Sequence, residues 1–251
     1  MAPHLHDRTA LVTGSTDGIG AAIARALAAE GALVIVTGRD TARGEKVVGS
    51  ITEAGDRATF LRADLAGGAE AVRELADAAH AVAGGTPDIL VNNAAMLLMP
   101  APTADVGEDL IDDALAINIK AAFLLTGLIA PAMAARGSGA IVNLGSINGL
   151  FGTGGSALYS TTKAAMHSLT KSWADEYGPS GVRVNTVAPG PTFTDKIAAL
   201  EEYLAPMIAR IPSRRPSTPE EVAKAVVFLA GDDASNIHGA TLSVDGGRAA
   251  I

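Results

Sequence analysis

Hydrophobic and polar positions along the chain follow two alternating patterns. Short apolar runs rich in β-branched residues are typical of buried strands. Seven such runs occur, at residues 9–13, 33–37, 59–61, 89–92, 140–144, 182–187 and 241–244. Longer stretches with helical spacing, rich in Ala, Leu and Glu, lie between them at residues 19–30, 41–54, 69–83, 109–135, 157–177 and 219–230. The elements therefore follow one another as strand, helix, strand, helix.

This strict alternation predicts an α/β fold, because right-handed crossovers place helices on both faces of a parallel sheet. We expect a doubly wound, seven-stranded, mostly parallel sheet in one domain over residues 1–251, since no linker or repeat divides the chain. A Pro-rich interruption with a short amphipathic stretch covers residues 190–216. An insertion of this kind predicts a mobile lid over a substrate site.

Composition narrows the classes of function. The chain has no Cys, which excludes disulfides, thiolate metal sites and cysteine nucleophiles. Its net charge of −8, with a single adjacent basic pair, argues against nucleic-acid binding. Residues 1–8 are polar and lack an apolar signal region, so we expect a cytoplasmic protein without a membrane anchor. The His residues lack metal-ligand spacing, so no metal site is expected.

A glycine-rich turn directly follows the first predicted strand and opens the first predicted helix. It consists of Gly14, Ser15, Thr16, Asp17, Gly18, Ile19 and Gly20. Glycines let backbone N–H groups approach a pyrophosphate at the positive end of the helix. The turn therefore predicts dinucleotide binding, with a tight turn that holds no ligand as the alternative.

The strongest chemical signal lies on the predicted helix 157–177. Tyr159 and Lys163 are four residues apart, so their side chains share one helix face. A free Tyr is ionised to roughly one part in a thousand at neutral pH, so a proton-transfer role needs a nearby positive charge. Ser146 follows the fifth strand, at the sheet edge where open α/β folds bind ligands. The pair alone arises by chance, and the prediction rests on its combination with Ser146 and the glycine turn.

The glycine spacing after Thr13, the run Asn-Asn-Ala-Ala at residues 92–95, and the set Ser146, Tyr159 and Lys163 resemble the short-chain dehydrogenase/reductase family, classical type, over essentially the whole chain. The resemblance implies a Rossmann fold and hydride transfer between a nicotinamide dinucleotide and a carbonyl or alcohol. It implies that Tyr159 exchanges the proton, that Ser146 polarises the substrate oxygen, and that Lys163 lowers the Tyr159 pKa. Ala at position 95 departs from the usual Gly.

Further contacts are implied by the same resemblance. Asn118 would help to hold a water that connects Lys163 to solvent. Besides the glycine turn and Arg39, the expected cofactor contacts are Asp64, Leu65, Asn92, Ala94, Tyr159, Lys163, Pro189, Gly190 and Thr192. The ending Asp-Gly-Gly at residues 245–247 resembles a subunit contact in related tetramers, so we expect a homotetramer.

Residues after the second strand bear on the choice between NADP and NAD. Gly38 stands where an acidic side chain would bind a free ribose 2′-hydroxyl. Arg39 follows it, and a guanidinium suits a 2′-phosphate. Asp17 favours the opposite choice, because relatives that prefer NADP often carry a basic residue near that position. We expect NADP, and NAD stays open.

Apolar residues around the expected site, including Leu97, Leu150 and Phe151, suggest a small hydrophobic substrate. Two other functions stay open. One is an NAD-preferring alcohol dehydrogenase, which would use the same catalytic residues. The other is a dinucleotide-binding sensor without turnover, and the complete set of Asn, Ser, Tyr and Lys argues against it, because binding alone needs no proton relay.

Overall fold

Seven strands form one sheet at the centre of the protein, seen in a computed structural model that describes residues 5–194 and 201–251, without the side chains of 201–203. The strands are β1 (Thr9–Val12), β2 (Leu33–Gly38), β3 (Arg57–Arg62), β4 (Ile89–Asn92), β5 (Gly139–Leu144), β6 (Val182–Pro189) and β7 (Thr241–Val244). Their order is β3-β2-β1-β4-β5-β6-β7, and every pairing between them is parallel. The predicted doubly wound arrangement is confirmed, with a sheet that is wholly parallel.

Helices cover both faces of the sheet. They are α1 (Gly18–Ala29), α2 (Thr41–Glu53), α3 (Gly68–Ala83), α4 (Glu108–Leu115), α5 (Ala121–Arg136), α6 (Ala157–Tyr177), α7 (Glu201–Ile208) and α8 (Pro219–Ala230). Alternate strand residues point to opposite faces, so Val34 joins a core with α1, α2 and α8, whereas Ile35 joins a core with α3, α5 and α6. Two apolar layers therefore hold the sheet between them.

A π-helical turn, Ala116–Lys120, separates α4 from α5 where the pattern predicted an unbroken helix over 109–135. Turns of this kind concentrate at functional sites. The whole run Glu108–Arg136 is long and apolar enough to span a bilayer by length and composition. Its residues Leu125, Ile129 and Met133 are nevertheless buried in the core beside the sheet, which identifies α5 as a core helix.

The predicted lid over 190–216 is described in part, because residues 195–200 lie outside the described residues. The amphipathic stretch expected over 195–210 contains α7. At the base of the segment, Thr192 and Ser217 form a parallel β-bridge, and the Phe193 N–H donates to the Ser217 carbonyl at 2.8 Å. The two ends of the segment are therefore fastened together.

The start of α8 provides a test of local stability. Thr218 Oγ1 accepts from the Glu221 N–H at 3.3 Å, and the Glu221 carboxylate accepts from the Thr218 N–H at 2.9 Å, which forms a capping box. We expect Thr218→Ala to lower the free energy of unfolding by about 1 kcal/mol, measured by urea denaturation. Thr218→Ser keeps the acceptor oxygen and should stay close to the wild type. Equal losses in the two variants would contradict this role of the hydroxyl.

Candidate active site

The carboxyl ends of β1 and β4 lie side by side where the strand order reverses, the point at which open α/β sheets bind ligands. The glycine turn follows β1 and leads into α1. From the loop after β4, Asn93 Nδ2 donates to the carbonyls of Thr13 at 2.8 Å and Gly14 at 2.9 Å. Two segments that are far apart in sequence thus form one side of the site.

The glycine turn is a cradle that larger residues would fill. A Cβ on Gly14 would lie 2.8 Å from the Cα of Ala94, and one on Gly20 would lie 2.3 Å from the Gly14 carbonyl oxygen. Gly14 and Gly18 also have positive φ, +62° and +50°, which favours glycine. Because the turn opens onto the N-terminus of α1, these residues fit the pyrophosphate of a dinucleotide.

Charged side chains surround the outer end of this turn. Arg43 donates from Nη1 to Asp17 Oδ2 at 3.1 Å and from Nε to Asp40 Oδ2 at 2.8 Å. Arg39 is exposed and has no ion pair among the described residues. A Cβ on Gly38 would lie 2.5 Å from Thr16 Cγ2, so an acidic residue there would require Thr16 to move. Sequence reasoning missed Arg43, since no pattern connects it with Asp17.

Ser146, Tyr159 and Lys163 converge where β5 ends against α6, as the spacing predicted. The Ser146 hydroxyl lies close enough to the Tyr159 phenol to lower the pKa of that phenol. Lys163 Nζ lies 5.8 Å from the centroid of the Tyr159 ring and donates to the Leu144 carbonyl at 2.9 Å. The Lys163 side chain is buried. A hydroxyl, a phenol and an ammonium therefore share one poorly solvated corner of the site.

The pKa of Tyr159 differs from the expectation that Lys163 lowers it. Burial raises the pKa of Tyr159 above its usual value, and the hydrogen bond from Ser146 is the contact that lowers it. The Lys163 ammonium is directed at the Leu144 carbonyl, and burial lowers the pKa of Lys163 itself to about 8. Desolvation outweighs the single hydrogen bond, so these side chains alone leave the phenol protonated at neutral pH.

Asn118 lies in the π-helical turn and is buried. Its Oδ1 accepts from the Met96 N–H at 2.6 Å, and its Nδ2 donates to the Met96 carbonyl at 3.2 Å and to Thr162 Oγ1 at 3.3 Å. The carboxamide is thus occupied in fastening the loop after β4 to α6. If Asn118 takes part in a proton relay, it must do so through its backbone groups, because its side chain is already hydrogen-bonded.

Other expected cofactor residues take varied positions. Asp64 lies beyond β3, where its carboxylate accepts from the Ala66 N–H at 3.1 Å, and Leu65 begins the short turn that follows. Gly190 follows Pro189 at the end of β6, and a Cβ on it would lie 2.8 Å from the Cα of Asp245. These segments remain at the carboxyl edge of the sheet, as expected.

Two side chains among the expected cofactor contacts are hydrogen-bonded to other groups of the protein. Asn92 Nδ2 donates to Thr126 Oγ1 at 3.1 Å and to Asn143 Oδ1 at 2.8 Å, so the Asn92 side chain faces the α5 layer. Thr192 Oγ1 donates to the Gly190 carbonyl at 3.1 Å within its own loop. Neighbouring residues that sequence reasoning missed lie closer to the turn. Asn93 bonds it directly, as described above, and Thr194 Cγ2 would lie 3.5 Å from a Cβ on Gly18.

The chain is similar to known proteins over nearly its whole length. The family model described as enoyl-(acyl carrier protein) reductase matches residues 14–249. The chain is 42% identical to cis-4-hydroxycyclohexanecarboxylate dehydrogenase of Sinomonas cyclohexanicum, over 100% of both chains. A solved short chain dehydrogenase/reductase family protein is 43% identical with a TM-score of 0.89, over 99% of this chain and 100% of that one. A solved 3-oxoacyl (acyl-carrier-protein) reductase from Agrobacterium tumefaciens C58 with NADP bound is 35% identical with a TM-score of 0.91, over 98% and 95%.

Burial of Lys163 predicts a pH dependence of stability. Its pKa is lowered to about 8 from 10.5, so between these values the unfolded chain binds the proton and the folded chain does not. Through this group, the free energy of unfolding should rise with pH from 8 to 10.5, by at most about 1.4 kcal/mol per pH unit. Urea denaturation at several pH values measures the slope.

Lys163→Met should lose this component of the slope, whereas Lys171→Met, which removes an exposed lysine of the same helix, should keep it. The same pH dependence in wild type and Lys163→Met would show that the lysine is not held in a desolvated position.

Proposed function

Because this chain belongs to the short-chain dehydrogenase/reductase family and is an NAD(P)-dependent oxidoreductase of alcohols or carbonyls, we propose that it interconverts a secondary alcohol and its ketone on a small, largely apolar substrate, with Tyr159 as the acid and base. The observation that carries the proposal is the convergence of the Ser146 hydroxyl and the buried Lys163 ammonium on Tyr159. This arrangement provides a proton donor and a second hydrogen-bond donor for one substrate oxygen.

In reduction, the Ser146 hydroxyl polarises the carbonyl oxygen and the Tyr159 phenol donates its proton to that oxygen. Oxidation reverses the step, with the Tyr159 phenolate taking the proton of the alcohol. When bound, the nicotinamide supplies the hydride donor or acceptor and, in its oxidised form, a positive charge. Because burial keeps the pKa of Tyr159 high, phenolate formation needs the Lys163 charge, the Ser146 hydrogen bond and that further charge together.

Asn118 completes the proton relay in this proposal. The π-helical turn contacts α6 through Thr162, the residue before Lys163. Since the Asn118 carboxamide is bonded to Met96, its backbone is left to hold a water that connects Lys163 to solvent. Through this water, Lys163 can exchange a proton with solvent while the active site stays closed.

The same edge of the sheet offers the groups that would hold the dinucleotide. We assign the pyrophosphate to the glycine turn, which fits it sterically. We assign the adenine end to Asp64 and Leu65. The remaining proposed contacts are Asn92, Ala94, Tyr159, Lys163, Pro189, Gly190 and Thr192, to which the position of Thr194 near Gly18 adds one more.

NADP is the proposed cofactor. The guanidinium of Arg39, which has no ion pair within the part of the chain that the structure describes, and the absence of an acid at Gly38 support a 2′-phosphate. A relative of known structure contains NADP. NAD is a second candidate, favoured by the Asp17 carboxylate on the glycine turn. The bond from Arg43 offsets that carboxylate, which supports NADP as the first choice.

For the substrate, we propose alicyclic secondary alcohols and the matching ketones. The relative from Sinomonas cyclohexanicum is named for a hydroxycyclohexane ring. Apolar side chains at the site support the proposal, since Leu97, Leu150 and Phe193 are 45%, 45% and 52% exposed. A pocket of about 210 Å³ that includes Tyr159 is also lined by Leu98, Met99 and Leu158. Such surfaces favour a ring over a polyhydroxylated chain.

We also propose a domain organisation and an oligomeric state for the protein, both as the sequence predicts them. We infer a single domain with the segment 190–216 as its lid, supported by the fastened base of that segment. Exposed apolar side chains on the run Glu108–Arg136 support association into a homotetramer, namely Leu110, Ile111, Leu115, Phe123 and Leu128. The cytoplasmic location stays a prediction.

Tyr159→Phe tests the proposed reaction. Removal of the hydroxyl should lower kcat by roughly 10²- to 10⁴-fold, because proton transfer to the substrate oxygen is lost. Cofactor binding, measured by nicotinamide fluorescence, should stay largely intact, because Tyr159 is one of many proposed contacts. Turnover is followed by nicotinamide absorbance with alicyclic alcohols, simple ketones, 3-oxoacyl thioesters, sugars and steroidal alcohols. Tyr177→Phe is the matched control and should keep wild-type kcat, since Tyr177 packs against the core. A Tyr159→Phe variant with full turnover would defeat the mechanism.

Arg39→Ala tests the cofactor choice. If Arg39 binds the 2′-phosphate, the variant should bind NADPH roughly ten- to a hundredfold more weakly, the effect of one charge-assisted hydrogen bond. NADH binding should be unchanged in the same fluorescence titration. Arg25→Ala, which removes an exposed arginine from α1, should affect neither cofactor. If wild type binds NADH more tightly than NADPH, the NAD alternative is correct.

A further inference from the structure

His167 is a buried titratable side chain that the proposed mechanism leaves without a role. It lies on α6 one turn beyond Lys163 and two turns beyond Tyr159, and it is 6% exposed. Its Nε2 accepts from the Ser146 N–H at 3.4 Å. Burial, and then the positive charges of Lys163 and Lys171, lower the pKa of His167 to about 4. The ring is therefore neutral at physiological pH, as an acceptor at Nε2 requires.

Side chains on three successive turns of α6 lie against the end of β5 and the residues that follow it. Lys163 Nζ donates to the Leu144 carbonyl, the Tyr159 phenol lies close to the Ser146 hydroxyl, and His167 accepts from the Ser146 N–H. The Ser146 hydroxyl accepts from the Asn148 N–H at 3.2 Å. Ser146 is thus held through its N–H by a side chain of α6 and through its hydroxyl by its own turn.

Close packing around the imidazole shows that the contact is specific. A Cβ on Gly145 would lie 2.2 Å from His167 Nε2, so the ring fits only because residue 145 is glycine. Within residues 5–194 and 201–251, the buried His167 Nδ1 has no hydrogen-bond partner. A side chain kept for packing alone would be apolar, because an unpaired buried nitrogen reduces stability. The contribution that a histidine makes here and an apolar residue could not is therefore the hydrogen bond that Nε2 accepts.

We propose that His167 is a positioning residue, whose Nε2 holds the Ser146 backbone so that the Ser146 hydroxyl stays beside the Tyr159 phenol. This inference rests on the proposed function, in which Ser146 and Tyr159 share the substrate oxygen. Without the acceptor, the Ser146 N–H loses its hydrogen bond and the turn is held less firmly, which we expect to weaken the contact that lowers the Tyr159 pKa. His167 acts on the reaction only through Ser146.

Two substitutions separate positioning from packing. His167→Met keeps apolar volume but removes the acceptor, whereas His167→Gln places an amide oxygen near the position of Nε2. We expect His167→Met to raise the Tyr159 pKa and to lower kcat roughly five- to tenfold, the effect of one neutral hydrogen bond. Cofactor affinity and melting temperature should stay close to wild type. His167→Gln should restore both the pKa and kcat, and His238→Met, at an exposed site, should change neither.

The Tyr159 pKa is measured by tyrosinate ultraviolet absorbance, with the titration of Tyr159→Phe subtracted to remove the other two tyrosines. An unchanged Tyr159 titration in His167→Met, or equal losses in the Met and Gln variants, would overturn the proposal. Should no substrate be turned over by wild type, the proposed function fails, and the titration still decides the role of His167. Nitrogen NMR of the wild-type protein reports which nitrogen of the His167 ring carries the proton. A proton on Nε2 would also overturn the proposal, because Nε2 could then not accept a hydrogen bond from the Ser146 N–H.

Discussion

Burial of the Lys163 ammonium is the constraint on which the rest of the site depends. An ammonium has three N–H donors, yet among the described residues Lys163 has one hydrogen-bond acceptor, the Leu144 carbonyl. Holding a charge in this way reduces stability, and the lowered pKa of Lys163 reflects that cost. The fold tolerates it because α6 is packed along its length against β5 and β6. N–H donors without an acceptor are available to bind a ligand, but until the ligand binds they lower the stability of the folded protein.

Beneath this site, a chain of buried polar side chains joins the strand ends to the helices. Asn92 on β4 bonds Asn143 on β5, which donates to Thr170 on α6 at 2.7 Å, and Thr170 lies 2.6 Å from Thr186 on β6. Linked hydrogen bonds in a poorly solvated layer strengthen one another and allow few alternative arrangements. The network therefore fixes β4, β5 and β6 relative to α6. Tyr159 and Ser146 come from two of these elements, so their separation depends on it.

The periodic elements could be predicted from sequence because their signal is local. All seven strands followed from apolar runs, and the shared helix face of Tyr159 and Lys163 followed from helical spacing. The π-helical turn could not be predicted, since no Gly or Pro marks it and its residue Asn118 bonds Met96, which is 22 residues away in the sequence. The direction of side chains past a strand end was also missed: Asn92 faces α5, and Asn93, the next residue, faces the glycine turn. Such features depend on contacts between distant residues.

Electrostatics around the glycine turn limit how strongly the chain can discriminate between the two dinucleotides. Arg43 is shared by Asp17 and Asp40, so these three groups together carry one negative charge, and Arg39 brings the sum to zero. A 2′-phosphate would therefore meet no net positive field and would depend on the hydrogen bonds of one exposed guanidinium. Interactions between exposed charges are weak and screened by salt. Discrimination in favour of NADP should accordingly decline as ionic strength rises, whereas the cradle formed by the glycine backbone is shared by both cofactors.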